Sequence, residues 1–270
     1  VSRGYGADAS GMNDEARELY DRLPDVPHVQ DPDRHAAAMI AVDELETQIV
    51  VMDDGFQHRR MHRDFDIVVV DASQPFFNAF LLPRGMLREP VSSLDRADMV
   101  VLSRCDAVPD AALNTLHQRM EQQFPGLPIV HSIHAPTKLI NSDSHSTAID
   151  ASELSRQRVI ALCALGNPGA FYQTLESLGA ELIDRITLPD HDHFTTETMQ
   201  TVIKRINRSR EQQSIDRVVC THKDLVKLQT ERIAGIPLWA LQIELRITEN
   251  EQAMDAALDQ IIARTPDDHD

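Results

Sequence analysis

The sequence predicts a doubly wound α/β fold with a mostly parallel sheet and a smaller C-terminal α/β lobe. Short β-branched runs alternate with helical stretches along the chain. Most of these runs are apolar without polar alternation, as in strands covered on both faces. With 270 residues and 42% hydrophobic content, there is enough chain for one large α/β domain or a domain plus a lobe.

The elements follow in order. Asn13 caps a helix running to residue 23, and Asp33, next to Pro32, caps another through residue 41. Strands are predicted over 48–53, 66–71, 99–103 and 128–132, with a helix over 110–123. The polar stretch 135–156 contains Asn141-Ser142-Asp143-Ser144-His145-Ser146 and reads as a lobe boundary. Beyond it come strands over 158–164, 217–220 and 237–242 and helices over 168–178, 195–210 and 249–264. The domain division is therefore a core over 1–134, a linker over 135–156, a lobe over 157–264 and an acidic tail over 265–270, frayed as termini are.

The formal net charge is -17, which on average repels both nucleic acid and anionic membranes and argues against nucleic acid as a partner. Against that background His58, Arg59, Arg60, His62 and Arg63 form a local basic patch, or a solvated face. Cys105, Cys163 and Cys220 are far apart and odd in number, so they read as buried thiols in a reducing compartment. No run approaches the roughly 20 apolar residues that span a bilayer.

Several segments could carry chemistry. In Val50-Val51-Met52-Asp53-Asp54-Gly55, apolar residues run into two carboxylates at a predicted strand end. Ligands of open α/β sheets bind there, and a carboxylate in that place can hold Mg²⁺ beside phosphates. The alternative is a solvated strand-to-turn Asp-Asp-Gly. Leu82-Pro83-Arg84-Gly85-Met86-Leu87-Arg88-Glu89-Pro90 sets two arginines and a glutamate among Pro and Gly, either to clamp phosphate oxygens or as an ordinary charged loop. Asp190-His191-Asp192-His193 fits acid–base work better than a metal, because its histidines are two apart; it also fits a loop before a helix. Thr221-His222-Lys223-Asp224 offers a lysine at a strand end or simply a helix start. Phe76-Phe77 and Phe80-Leu81-Leu82 read first as core, and otherwise as a surface for acyl chains or membrane.

Taken together these segments resemble the lipid A 4'-kinases (tetraacyldisaccharide 4'-kinases). The resemblance rests on Ser2-Arg3-Gly4-Tyr5, Asp53-Asp54-Gly55-Phe56-Gln57-His58, Arg63-Asp64, Leu82-Pro83 and Leu87-Arg88-Glu89-Pro90. It continues through Gly166-Asn167-Pro168, Phe171, Pro189-Asp190-His191 and Lys223-Asp224 with Lys227. It implies a P-loop kinase fold that uses ATP and Mg²⁺ to phosphorylate the 4'-hydroxyl of a tetraacyl disaccharide 1-phosphate. It implies Asp14 as catalytic base paired with His191, and Asp53, Asp54 and Glu89 around Mg²⁺. Gln57 and Arg88 would lie nearby, and Tyr5 near the nucleotide. The implied partners are the lipid disaccharide and the cytoplasmic face of the bacterial inner membrane, reached through an N-terminal segment upstream of Val1.

The sequence also departs from that family. No G-x-x-x-x-G-K-[ST] occurs in the chain; in the family it lies upstream of the Ser-Arg-Gly-Tyr segment. Asn13 stands where Gly is common, the link from Tyr5 to Asp14 is short, and His222 replaces a usual Glu. The expectation is a truncated form, lacking its first strand and phosphate loop. It would be soluble and cytoplasmic as it stands, with weak nucleotide binding and little kinase activity. A non-catalytic protein of the same fold that binds lipid or a partner is the alternative. A metal-dependent hydrolase using Asp53, Asp54, His191 and His193 would instead act without ATP.

Overall fold

A computed structural model describes residues 2–3, 19, 22–76, 80–142, 148–190 and 192–264. In chain order the principal elements are α1 (Arg34–Asp43), β1 (Ile67–Asp71), β2 (Met99–Ser103), α2 (Asp110–Gln123) and β3 (Ile129–Ile140). They continue with β4 (Arg158–Cys163), α3 (Pro168–Ser177), β5 (Glu181–Thr187), α4 (Thr196–Gln212) and β6 (Arg217–Thr221). Last come α5 (His222–Leu228), β7 (Ile236–Glu249) and α6 (Glu251–Ile262). Helix starts follow local chemistry. Asp33 accepts from the backbone N–H groups of His35 and Ala36, and Thr195 from that of Thr198. Pro168 stands in the first turn of α3, where its missing N–H costs nothing.

The chain divides into two compact units. The first holds residues 29–135 and 245–270. In it β1 and β2 pair in parallel from Ile67↔Met99 to Asp71↔Ser103, and β2 pairs in parallel with the start of β3 from Val100↔Ile129 to Leu102↔His131. Every residue of β2 is buried. Alternate side chains serve opposite faces. Val100 and Leu102 pack with Leu116 and Met120 of α2, while Met99 and Val101 pack with Ala253, Met254 and Ala257 of α6.

The second unit holds residues 2–28 and 136–244. Its strands run β7-β6-β4-β5, all parallel. Ile160 and Leu162 of β4 meet Val202 and Ile206 of α4; Val159, Ala161 and Cys163 meet Phe171 and Leu175 of α3. Helices thus cover both faces, which is why these strands read as unbroken apolar runs. Chain order reverses between β4 and β6, and the carboxyl ends at such a switch point are where open α/β sheets receive ligands. All three cysteines are buried free thiols. No helix among the described residues is long and apolar enough to cross a membrane.

Two expectations change. Residues 48–53 form no strand; Val51 is 90% exposed and no neighbouring strand takes up the backbone of this stretch among the described residues. An apolar run becomes a strand only where a ladder receives its N–H and C=O groups. Nor do the units follow the linear division. Much of 135–156 is structured, because β3 runs on to Ile140 and pairs antiparallel with Ile149–Asp150. The C-terminal helix α6 returns to the first unit, where its small apolar face covers β2.

Candidate functional site

The Asp-Asp-Gly run is a tight turn. Asp54 takes a left-handed conformation (φ 50°), and His58 N donates to Gly55 O at 2.9 Å. Gly55 is buried, and a Cβ there would lie 2.6 Å from Met52 Cε. The turn therefore leaves Asp53, Asp54 and Gln57 exposed side by side along the chain.

The loop from Phe80 to Pro90 meets this turn. Arg88 Nη1 donates to Asp54 Oδ2 at 2.7 Å. Glu89, next in sequence, accepts from Arg96 Nη2 at 2.8 Å and lies 3.5 Å from Arg59 Nη2. The hydrogen bond from Arg96, then one from Ser93, holds the Glu89 carboxyl below its usual range. Arg96 also donates to Phe56 O at 3.3 Å, and its guanidinium lies over the Phe56 ring at 4.4 Å. One arginine thus fixes both the turn and the loop. Sequence reasoning missed Arg96; the signal was its place at the end of the short 3₁₀ helix Val91–Arg96, which Pro90 caps just after Glu89.

The structure therefore brings together Asp54, Arg88 and Glu89 on two adjoining segments, with Asp53 and Gln57 on the same turn. Asp14, Tyr5 and His191 lie outside the described residues. Within the basic patch, Arg63 is a structural residue: it pairs with Asp66 at 2.7 Å and donates to His58 O at 2.7 Å. His58, Arg59, Arg60 and His62 face solvent. Phe80, Leu81 and Leu82 are exposed rather than core, because the loop that carries them closes on its own backbone.

The donor set fits Mg²⁺ in one particular way. Carboxylates and an amide oxygen are the hard ligands this ion takes. No group of three or more His, Cys, Asp or Glu able to hold a metal occurs among the described residues, and arginines face both Asp54 and Glu89. Such a site suits an ion held by one or two carboxylates together with phosphate oxygens, not by a protein cage.

At the carboxyl ends of β1 and β2, Arg104 adopts a left-handed conformation (φ 56°) and its Nη1 lies 3.3 Å from Asp71 Oδ2. Burial, and then Arg104, lower the pKa of nearby His134. In the second unit the buried Asp224 lies at the carboxyl ends of β4 and β6. Its Oδ2 accepts from Ala164 N at 3.2 Å and from Thr221 Oγ1 at 2.7 Å, and burial pushes its carboxyl up. Thr221 Oγ1 in turn caps α5, so this segment is the helix start. Lys227 Nζ donates to Asp192 O at 3.1 Å, tying α5 to the loop that carries Asp190. Asp190 Oδ2 would lie 3.2 Å from a Cβ at Gly166, so the glycine leaves room for the carboxylate.

The family model described as LpxK, tetraacyldisaccharide-1-P 4'-kinase, matches residues 1–263. A tetraacyldisaccharide 4'-kinase of Anaeromyxobacter sp. (strain Fw109-5) is 36% identical over 98% of this chain and 74% of its own length. One from Halothermothrix orenii is 33% identical over 89% of this chain and 65% of its own length. A crystal structure of the "apo" form of LpxK from Aquifex aeolicus in complex with ATP superposes with a TM-score of 0.66 at 27% identity. It covers 92% of this chain and 68% of that one. The chain belongs to the tetraacyldisaccharide 4'-kinase family, phosphotransferases of lipid A biosynthesis.

Proposed function

We propose that the turn 53–57 and the loop 87–90 bind the phosphates of ATP, with Mg²⁺, for transfer to the 4'-hydroxyl of a tetraacyl disaccharide 1-phosphate. The observation that carries this reading is the junction of the two segments: Arg88 on Asp54, with Glu89 beside it held by Arg96. The ATP bound by the Aquifex aeolicus relative supports the choice of nucleotide. When bound, Mg²⁺ would neutralise charge on the phosphate oxygens, with Asp53, Asp54 and Glu89 as its carboxylates and Gln57 at its edge. Arg88 is exposed enough to exchange Asp54 for a phosphate oxygen, while Arg96 keeps Glu89 ionised and oriented.

The remaining roles follow the family pattern. The 4'-oxygen attacks the γ-phosphorus as the bond to the ADP oxygen breaks, and the hydroxyl proton passes to the Asp14 carboxylate. His191 pairs with Asp14 and tunes its basicity, and Tyr5 lies near the nucleotide. ATP supply and a lipid acceptor together put the reaction at the cytoplasmic face of the inner membrane. Arg88→Ala is expected to weaken Mg-ATP binding about tenfold, as loss of a charge-assisted phosphate contact does. Titration calorimetry checks this, with circular dichroism to verify folding. An unchanged Kd would remove Arg88 from the nucleotide site.

A further inference from the structure

The loop 80–87 is built to hold apolar side chains in water. Leu82 N donates to Leu87 O at 2.9 Å, Leu87 N to Phe80 O at 3.2 Å and Gly85 N to Leu81 O at 3.0 Å, closing a tight tip. A Cβ at Gly85 would sit 2.0 Å from Phe80 O, so only glycine fits the closure. The closed tip leaves Phe80 50%, Leu82 60% and Met86 86% exposed, with Leu81 beside them. Scattered surface apolar residues need no explanation, but four within seven residues on a closed loop mark a contact surface.

Charge identifies the contact. The protein is strongly acidic, at -17, yet cations border this tip. The Arg84 guanidinium lies over the Phe80 ring, 3.8 Å from its centroid. Arg88 and its Asp54 partner join the tip to the turn that carries the exposed His58, Arg59 and Arg60. An apolar tip with guanidinium groups at its base matches the cross-section of an anionic bilayer: acyl chains inside, phosphate headgroups at the rim. Arginine over an aromatic ring suits that boundary, because its apolar stem and charged head can occupy different depths.

The geometry points to the loop 80–88 as a shallow membrane-docking tip that seats the protein on an anionic lipid surface. There Arg88, Glu89 and the turn 53–57 would meet a lipid whose sugar headgroup stays at the interface. This rests on the kinase reading only for the reason such docking is useful; the docking itself needs neither ATP nor substrate.

The test is co-sedimentation of the protein with vesicles of phosphatidylethanolamine and phosphatidylglycerol, compared with phosphatidylcholine vesicles, at about 0.1 M salt. Binding is expected to favour the anionic vesicles and to weaken in high salt. Leu82→Ser/Met86→Ser is expected to lower it about tenfold, and Arg84→Ala about fivefold. Ile262→Ser, at an exposed apolar site on α6, should leave it unchanged. Both tip residues are exposed, so circular dichroism should show a folded double variant. No pelleting, or equal pelleting of wild type and double variant, overturns the proposal. Pelleting that requires tetraacyl disaccharide in the vesicle makes the tip a substrate subsite and overturns it too. So does a change in the molecular mass of the double variant, by light scattering, with vesicle binding intact, which would assign the tip to a second copy. Phosphoryl transfer to detergent-dispersed substrate, measured separately, shows whether the kinase reading has failed instead.

Discussion

Glu89 sits between two arginines, and the closer one governs its chemistry. With Arg96 Nη2 at 2.8 Å, its carboxyl titrates below the value it has in an unfolded chain. A depressed carboxyl contributes stability that is present above the unfolded pKa and is lost as pH falls through the folded one. Arg96→Ala should therefore lower stability by about 1–2 kcal/mol at neutral pH, and by clearly less in acid, once the pH has fallen through the folded pKa of Glu89. Thermal melts of both proteins at the two pH values check this. An equal loss at both would mean that Arg96 acts through Phe56 alone. At this scale the sequence marked Asp53-Asp54 and Arg88-Glu89 as two separate charged segments, and only the family resemblance joined them into one site. It did not show which arginine holds which acid. Arg96 and Arg59 lie on different segments, and only the fold brings both to Glu89.

Among the elements, burial decided what could be read. β2 is an unbroken apolar run buried on both faces, and its predicted bounds agree with the structure. β5 was missed because its Glu181, Asp184 and Arg185 break the apolar run; among the described residues it pairs with β4 alone, at the end of the strand order. The stretch 48–53 fails in the opposite way, having the composition of a strand without a ladder. What fixes α4 against β5 is likewise invisible to pattern. Asp184 accepts from Arg205 Nε at 2.8 Å and Nη2 at 2.6 Å, and from Ser209 Oγ at 3.3 Å. Asp184→Ala should cost about 1 kcal/mol, because the half-exposed Arg205 is screened by water. A double-mutant cycle with Arg205→Ala in urea should return most of that as coupling. A coupling near zero would show that the apolar contacts of Val202 and Ile206 hold α4 unaided.

For the molecule as a whole, each unit is a mostly parallel α/β layer with its own core, and the family match runs through both. Fold class was legible because alternating strands and helices leave few alternatives. The division into units was not, since α6 packs on the first unit after the chain has built the second. The family was legible from short motifs in a fixed order, while the roles of Asp14 and His191 rest on that order alone. On the proposed function, the protein moves the γ-phosphoryl of ATP onto the 4'-oxygen of a tetraacyl disaccharide 1-phosphate, with Asp14 taking the proton. The most direct test uses the protein purified from its own cells and ATP labelled in its γ-phosphate, beside a form carrying Asp14→Asn. Label is expected at the 4'-position of the lipid, with turnover lowered about 100-fold or more by the substitution. Unlabelled lipid, or equal labelling by both proteins, would contradict it.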